Sequence, residues 1–424
     1  MYGGYAQLTE HRVPISRVFQ DRGYTTLGVN TNAQLHTRFG WDRGYDVYYD
    51  SEQATINNPV GSFSSSGPEE SVADRDESPL KKRFELLKST VYKKLDHDGL
   101  TYNLLESAYR VATSRDPPHN RAEEAINKLF SFLDCAPDDE PLFVWIHFME
   151  THSPYDPPRK YREQFLETDI SDNRLWEIND RLHTEPETLS DDEVATISDL
   201  YDASLRYLDD QIGRLFDGLR DRGLWDESVI AFTADHGEQF REHGEMTHCS
   251  EPWEEGVHVP LLFRVGDEPL ADIESVTSTI DIGPTLLDAA FRDPDIPDRF
   301  HGLSLLPMMR NEATIPDDRA VFSQSAQKTG RDIYLDHRIT GVRTDRWKFI
   351  TSVNDDVETK LYDLDDNPDE QINVADKNLS LVSKFQQRVD EHYKHPGYTD
   401  YEIKEAINTA DVSDRLQALG YLDH

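Results

Sequence analysis

The sequence predicts an α/β fold with parallel strands, and three stretches carry that expectation. Residues 14–29 run helix, glycine, strand, which is half of a strand–helix–strand unit. Pro141 to Met149 (PLFVWIHFM) is nearly continuous in apolar residues, as a central parallel strand covered on both faces should be. Ser190 to Leu219 has the spacing of a long amphipathic helix, and it leads into the β-rich run Val229 to Phe232, read as a buried strand.

Taken in order, Pro14 to Arg22 places Ile15, Val18 and Phe19 on one helical face, with Gly23 as a C-cap. Tyr24 to Val29 is the following strand and empties into Asn30, Thr31 and Asn32. A parallel pair also needs a strand ahead of this helix, so the start reads as a truncation. Phe39 to Asp50 reads as an aromatic, Gly-rich loop, and residues 57–78, rich in Ser, Gly, Pro and acids, as a mobile insertion. Helical periodicity covers Pro79 to Phe132. The strand 141–149 ends in Glu150, Thr151 and His152, while His147 inside it reads as a core residue. Ser190-Asp191-Asp192-Glu193 is a capping pattern for the long helix, and Arg222-Gly223 stops it. Pro260 to Val265 is a further strand, and Ser278 to Ala290 a turn into a helix with Pro284 near its start.

A chain of 424 residues accommodates a large α/β domain with a smaller appendage. Its 82 acidic against 44 basic residues give a net charge of −38, which argues against nucleic-acid or anionic-membrane partners. Arg outnumbers Lys and the acids are dispersed, a pattern resembling proteins of salt-loving organisms. Cys135 and Cys249 are too few for a disulfide framework. No run is apolar enough to span a bilayer and the N-terminus lacks signal-peptide character, so as given the chain reads as cytoplasmic. Oligomeric state is not legible.

Chemistry concentrates in residues 228–260. Asp235 and His236 lie in the turn after a strand, where parallel sheets keep their sites, and His243, His248 and His258 follow in an acidic loop. A metal site is the leading reading. Glu238, Glu242 and Glu245 could instead satisfy these histidines, and His243 and His258 are read as packed or paired residues. His152, also beyond a strand end, belongs at the same sheet edge.

RVFQDRGYTT, HFMETHSPYDPP, YDASLRYLDDQIGRLFDGL, TADHGEQFREHG, PWEEGVHVPLLF, STIDIGPTLLDAA, HGLSL, VRTDRWKFI and LYDLDDNPDEQIN occur in an order that resembles the sulfatases of the alkaline phosphatase superfamily. The resemblance implies a mixed, mostly parallel sheet with helices on both faces over residues 1–318. It also implies a small C-terminal α+β subdomain over 319–424, with strands at Ile339 to Arg343, Trp347 to Thr351 and Lys360 to Leu364. It makes Asp235 and His236 metal ligands, places His152 on the anionic group of a small-molecule or glycan sulfate or phosphate ester, and puts His248 where a basic group contacts that group's oxygens or a metal. The Asp-His pair, in place of the Asp-Asn common in Ca²⁺ sulfatases, favours Mn²⁺ or Zn²⁺ over Ca²⁺.

Two departures qualify the likeness. The family's nucleophile motif, Cys or Ser followed by x-Pro-x-Arg, has no counterpart here: Cys135-Ala136-Pro137-Asp138-Asp139 ends in an acid that would repel an anion. The loop Asn30 to Gln34 also lacks the Lys and His with which arylsulfatases hold sulfate. Three functions follow: a metal-dependent sulfuric ester hydrolase lacking its nucleophile segment, a phosphodiesterase or phosphoethanolamine-transferase type, and a non-catalytic scaffold on the same fold.

Overall fold

A computed structural model describes residues 12–50, 54–58, 121–168, 170–248, 251–291, 296, 300–329, 332–352 and 357–394. Most of the expected insertion, the helices expected over 79–120, and Cys249 lie outside the described residues. The described chain forms two compact units, divided between Leu215 and Phe216.

In the first unit, α1 (Ile15–Gln20) ends at Gly23, whose φ of 82° is the left-handed cap that the sequence implied. β1 (Thr25–Val29) follows. It pairs in parallel with β2 (Val47–Tyr49) and with β4 (Leu142–Ile146), while β3 (Ala54–Ile56) runs antiparallel to β2, giving the order β3-β2-β1-β4. β1 is therefore an interior strand with a parallel partner on each side, and is buried throughout. Its threonines survive burial because the Asp46 carboxylate accepts from both the N–H and the hydroxyl of Thr26, each at 2.8 Å.

The segment Phe39 to Asp50 is not simply a loop, since β2 lies within it. The three-residue run Val47-Tyr48-Tyr49 is too short for periodicity to reveal. Gly28 in β1 makes room for it: a Cβ there would sit 2.5 Å from the Tyr48 ring. Nor is 142–146 central; β4 is an edge among the described strands and is only partly buried, with Val144 37% exposed.

Helix α2 (Ala122–Leu133) buries Ala122, Ala125, Ile126, Leu129, Phe132 and Leu133 at helical spacing. α3 (Arg159–Phe165), α4 (Asp172–Thr184) and α5 (Asp191–Asp221) follow. The capping box at the start of α5 is formed: Glu193 accepts from the Ser190 N–H at 2.7 Å, and the Ser190 hydroxyl accepts from the Glu193 N–H at 3.4 Å. No described helix is long and apolar enough to cross a membrane.

In the second unit, β5 (Val229–Thr233) pairs antiparallel with β8 (Leu261–Val265) as a two-stranded sheet. With so little sheet around it, β5 is partly exposed and not buried as expected. Between them lie the hairpin β6 (Gln239–Phe240) and β7 (Met246–Thr247) and the single turn α6 (Glu254–Val257). α7 (Ile282–Ala290) begins behind a capping box of Ser278 and Asp281, and α8 (Leu306–Met309) follows.

β9 (Val321–Thr329), β10 (Asp332–Arg343), β11 (Trp347–Ser352) and β12 (Lys360–Asp363) form the antiparallel sheet expected near the C-terminus, with β9 as an additional strand. α9 (Leu379–Tyr393) covers it through Phe385 and Val389, which pack on Val342, Phe349 and Leu361. The described elements make an α/β fold with a C-terminal antiparallel sheet covered by α9.

Candidate active site

Asp235 and His236 follow the last residue of β5, as the sequence placed them. The His236 Nδ1 lies 2.7 Å from the Gly237 carbonyl oxygen, which can only accept, so Nδ1 carries the proton and Nε2 the lone pair. That is the form in which an imidazole binds a metal. Nε2 is 3.9 Å from Asp235 Oδ2, and Asp235 Oδ1 accepts from the His236 N–H at 3.1 Å. The Asp235 side chain is half exposed, so its carboxylate remains open to a ligand.

The turn is fixed from behind. The Gly237 N–H donates to the Gly256 carbonyl at 2.9 Å, and a Cβ on Gly237 would fall 1.9 Å from the Glu255 carbonyl oxygen, so only glycine permits this approach to α6. The hairpin beyond it carries strain: Arg241 (φ 76°) and Thr247 (φ 64°) both occupy the left-handed region, a costly placement for a β-branched residue. Thr247 delivers His248, whose ring packs edge-on to that of His236 at 4.5 Å. His248 Nδ1 is 3.7 Å from Glu238 Oε1, and that oxygen is buried with no hydrogen-bond partner. Asp235, His236 and His248 are thus brought together, with a carboxylate oxygen behind them that lacks a donor. A nitrogen and a hard oxygen at one turn are a donor pair for a divalent metal ion.

Glu238 approaches His248 without bonding it, and Glu242 turns back to accept from the Phe240 N–H at 2.6 Å. His258 is exposed, not packed. His243 Nε2 stands 3.3 Å from Glu255 Oε2 without hydrogen-bond geometry, and its ring stacks on Trp253 with ring centres 3.9 Å apart. The one set of three close metal-type donors among the described residues is this histidine with Glu255 and Glu370, and not the Asp235 turn.

His152 lies in the first unit. β4 belongs to the four-stranded sheet and β5 to the two-stranded one, so the single sheet edge expected to carry both His152 and Asp235 is not among the described ladders. His152 is buried, and its Nδ1 lies against the Ser153 carbonyl oxygen at 2.5 Å. Donation from its Nε2 to an anion therefore requires the imidazolium form.

Two residues ahead, Glu150 is buried and accepts from the Ala122 N–H, while its Oε2 has no hydrogen-bond partner. Burial pushes its carboxyl up to about 7, against the smaller lowering effects of the Ala122 N–H and Arg121. Nothing local marks this acid, because a Glu after a strand reads as a solvated turn residue. The loop after β1 serves its own structure: Asn30 donates to the carbonyls of Asn32 and Leu35, and Asn32 caps the turn at Gln34. The buried pair of His36 and Asp50, 3.3 Å apart, closes it. Neither partner of that pair stands out in the sequence.

Comparison with known proteins agrees with this architecture. The Sulfatase family profile matches residues 1–291, and that of the N-sulphoglucosamine sulphohydrolase C-terminal region matches residues 248–395. Arylsulfatase K from Bos taurus is 30% identical over 213 residues, covering 48% of this chain and 38% of that protein. N-acetylglucosamine-6-O-sulfatase from Bacteroides thetaiotaomicron is 28% identical over 214 residues, 49% of this chain and 37% of that protein. The matched region thus spans little more than a third of these relatives' length.

Among solved structures, a protein in complex with D-glucosamine-2-N,6-O-disulfate superposes with a TM-score of 0.60 at 15% identity, over 94% of this chain and 85% of the other. The phosphonate monoester hydrolase of Agrobacterium radiobacter does so with a TM-score of 0.61 at 20% identity, over 91% and 81%. With the profile covering well over half of the sequence and the strand-end Asp-His turn in place, the chain belongs to the sulfatase family.

Proposed function

We propose that this protein is a metal-dependent hydrolase of sulfate esters carried on a small molecule or glycan. The observation that carries the reading is the His236 ring, locked through Nδ1 with its Nε2 lone pair beside the Asp235 carboxylate. Asp235 and His236 would hold a divalent ion, Mn²⁺ or Zn²⁺ in preference to Ca²⁺ because one donor is nitrogen. When bound, such an ion polarises a sulfuryl oxygen and offsets charge developing on it. His248, beside Glu238, would supply a ring N–H to an anionic oxygen. The strained hairpin holds His248 at its angle to His236. No Ser or Cys of the 424 residues fits the x-Pro-x-Arg pattern, so the attacking group is unassigned.

The test is hydrolysis of 4-nitrophenyl sulfate with Mn²⁺, Zn²⁺ or Ca²⁺, by this chain and by the same chain extended with its in-frame upstream codons. Metal-dependent sulfate release is expected of the form that supplies a nucleophile. Asp235→Asn should lower kcat/KM by at least about 100-fold, because changes one shell further out already cost 10- to 100-fold. Turnover unaffected by chelation or by Asp235→Asn would refute the assignment.

A second reading, hydrolysis or transfer of phosphate or phosphonate esters, is favoured by the nitrogen donor at position 236. Turnover of phenyl phosphonate esters with Mn²⁺ or Zn²⁺, and none of the sulfate ester, would select it. A folded protein that binds the metal and turns over neither ester in either form would instead be a scaffold on this fold.

A further inference from the structure

We propose that His243, Glu255 and Glu370 form a second divalent-cation site, distinct from the Asp235–His236 turn and suited to Zn²⁺. The nitrogen and the two carboxylate oxygens lie within 4.8 Å of one another. All three atoms, His243 Nε2, Glu255 Oε2 and Glu370 Oε1, are buried without a hydrogen-bond partner. The Glu370 side chain is completely buried and that of His243 is 8% exposed. Three orphaned donor atoms converging on one point are costly unless something occupies that point.

The surrounding contacts show why a proton alone does not fill it. Glu370 Oε2 is already engaged by the Glu254 N–H at 2.7 Å. The buried Lys348 ammonium bonds Glu254 Oε1 at 2.7 Å and stands 3.7 Å from Glu370 Oε1, beyond hydrogen-bond reach. A proton on His243 Nε2 would face Glu255 at 3.3 Å without hydrogen-bond alignment, and would leave Glu370 Oε1 as it is. Three carboxylates, Glu254, Glu255 and Glu370, meet two cations, Lys348 and Arg343, so the pocket has negative charge to spare.

One imidazole and two carboxylates are a donor set for Zn²⁺, with the remaining position open to water. Tetrahedral bonds of about 2.1 Å separate ligands by about 3.4 Å, close to the His243–Glu255 spacing, and small χ rotations of Glu370 close the rest. The ring is held in plane by Trp253, stacked at 3.9 Å and 6°. Glu370 is fixed by its own backbone, a non-glycine φ of 50°.

Such an ion would tie three separate pieces together: the hairpin after β5, the turn α6 and the segment following β12. It would brace the loop that carries Asp235, His236 and His248, while touching none of them.

The experiment uses the full chain in metal-free buffer with Asp235→Asn and His236→Gln installed, which removes the other candidate site. Zn²⁺ is titrated calorimetrically and retained metal is measured after gel filtration. This variant should hold about one equivalent, and saturating Zn²⁺ should raise its Tm by roughly 5 °C. Adding His243→Phe, which keeps the ring on Trp253 but removes the nitrogen, should abolish both effects and leave the metal-free Tm and circular dichroism unchanged. Should that variant fold poorly, Glu255→Gln replaces it with the same expectation.

Anomalous diffraction at the Zn edge should place the ion among the three side chains. Failure of the first variant to retain metal, unaltered stoichiometry after His243→Phe or Glu255→Gln, or an anomalous peak elsewhere would each overturn the proposal. None of these outcomes bears on ester hydrolysis, which rests on Asp235.

Discussion

Glu150 links the pH of the solution to the stability of the first unit. Its carboxyl is displaced from 4.5 to about 7, chiefly by burial. The folded state therefore binds the proton more tightly than the unfolded chain does. Stability attached to this group is fully present below about 4.5 and declines as pH rises through about 7, by roughly 3 kcal/mol in all. Glu150→Gln keeps an oxygen to accept from the Ala122 N–H and cannot ionise.

Urea unfolding of wild type and variant is compared from pH 4 to 8 at one fixed high salt concentration, so that the rest of the acidic surface cancels in the difference. The variant should gain on wild type by about 3 kcal/mol between pH 4.5 and 8. A difference that stays flat within about 0.5 kcal/mol would refute the placement of a protonated acid at the foot of α2.

Other perturbations test the packing around the site. Gly237→Ala drives a methyl into the Glu255 carbonyl, a backbone atom that cannot yield alone, and should cost at least 1–3 kcal/mol in thermal unfolding with loss of metal affinity at Asp235; an unchanged Tm would contradict the close approach. Lys348→Met leaves Glu254 and Glu370 buried without their ammonium and should destabilise by about 3–5 kcal/mol in urea, whereas a neutral effect would mean that these carboxylates are solvated. A net charge of −38 should make the fold salt-dependent, with Tm falling steadily as salt drops from molar to about 10 mM, where the Debye length reaches about 30 Å; a flat profile would remove the case for salt adaptation.

What the sequence made legible was what local chemistry controls. Gly23 and Gly223 stop their helices in left-handed conformations, Ser190 and Glu193 form the box that starts α5, and the strand ending at Thr233 delivers Asp235 and His236 to a turn. Pairing was less legible, because ladders join residues distant in sequence. The edge position of β4, the antiparallel partner of β5 and the short β2 all depend on neighbours that periodicity does not name. Buried charge was least legible of all. His243, Glu255 and Glu370 come from three separate segments, and Glu370 sits in a polar run, NPDEQIN, that gives no sign of burial. Glu150 follows a strand, and the N–H it accepts from, at the start of α2, lies earlier in the chain and meets it only in the folded state.

The most direct test of the account is anomalous diffraction at the Mn edge from crystals of this chain grown with Mn²⁺. An ion bonded to the Asp235 carboxylate and to His236 Nε2, each at about 2.0–2.3 Å, is the predicted result. Well-ordered Asp235 and His236 side chains with no anomalous density between them at saturating Mn²⁺, or His236 turned so that Nδ1 leaves the Gly237 carbonyl and Nε2 points away from Asp235, would contradict it.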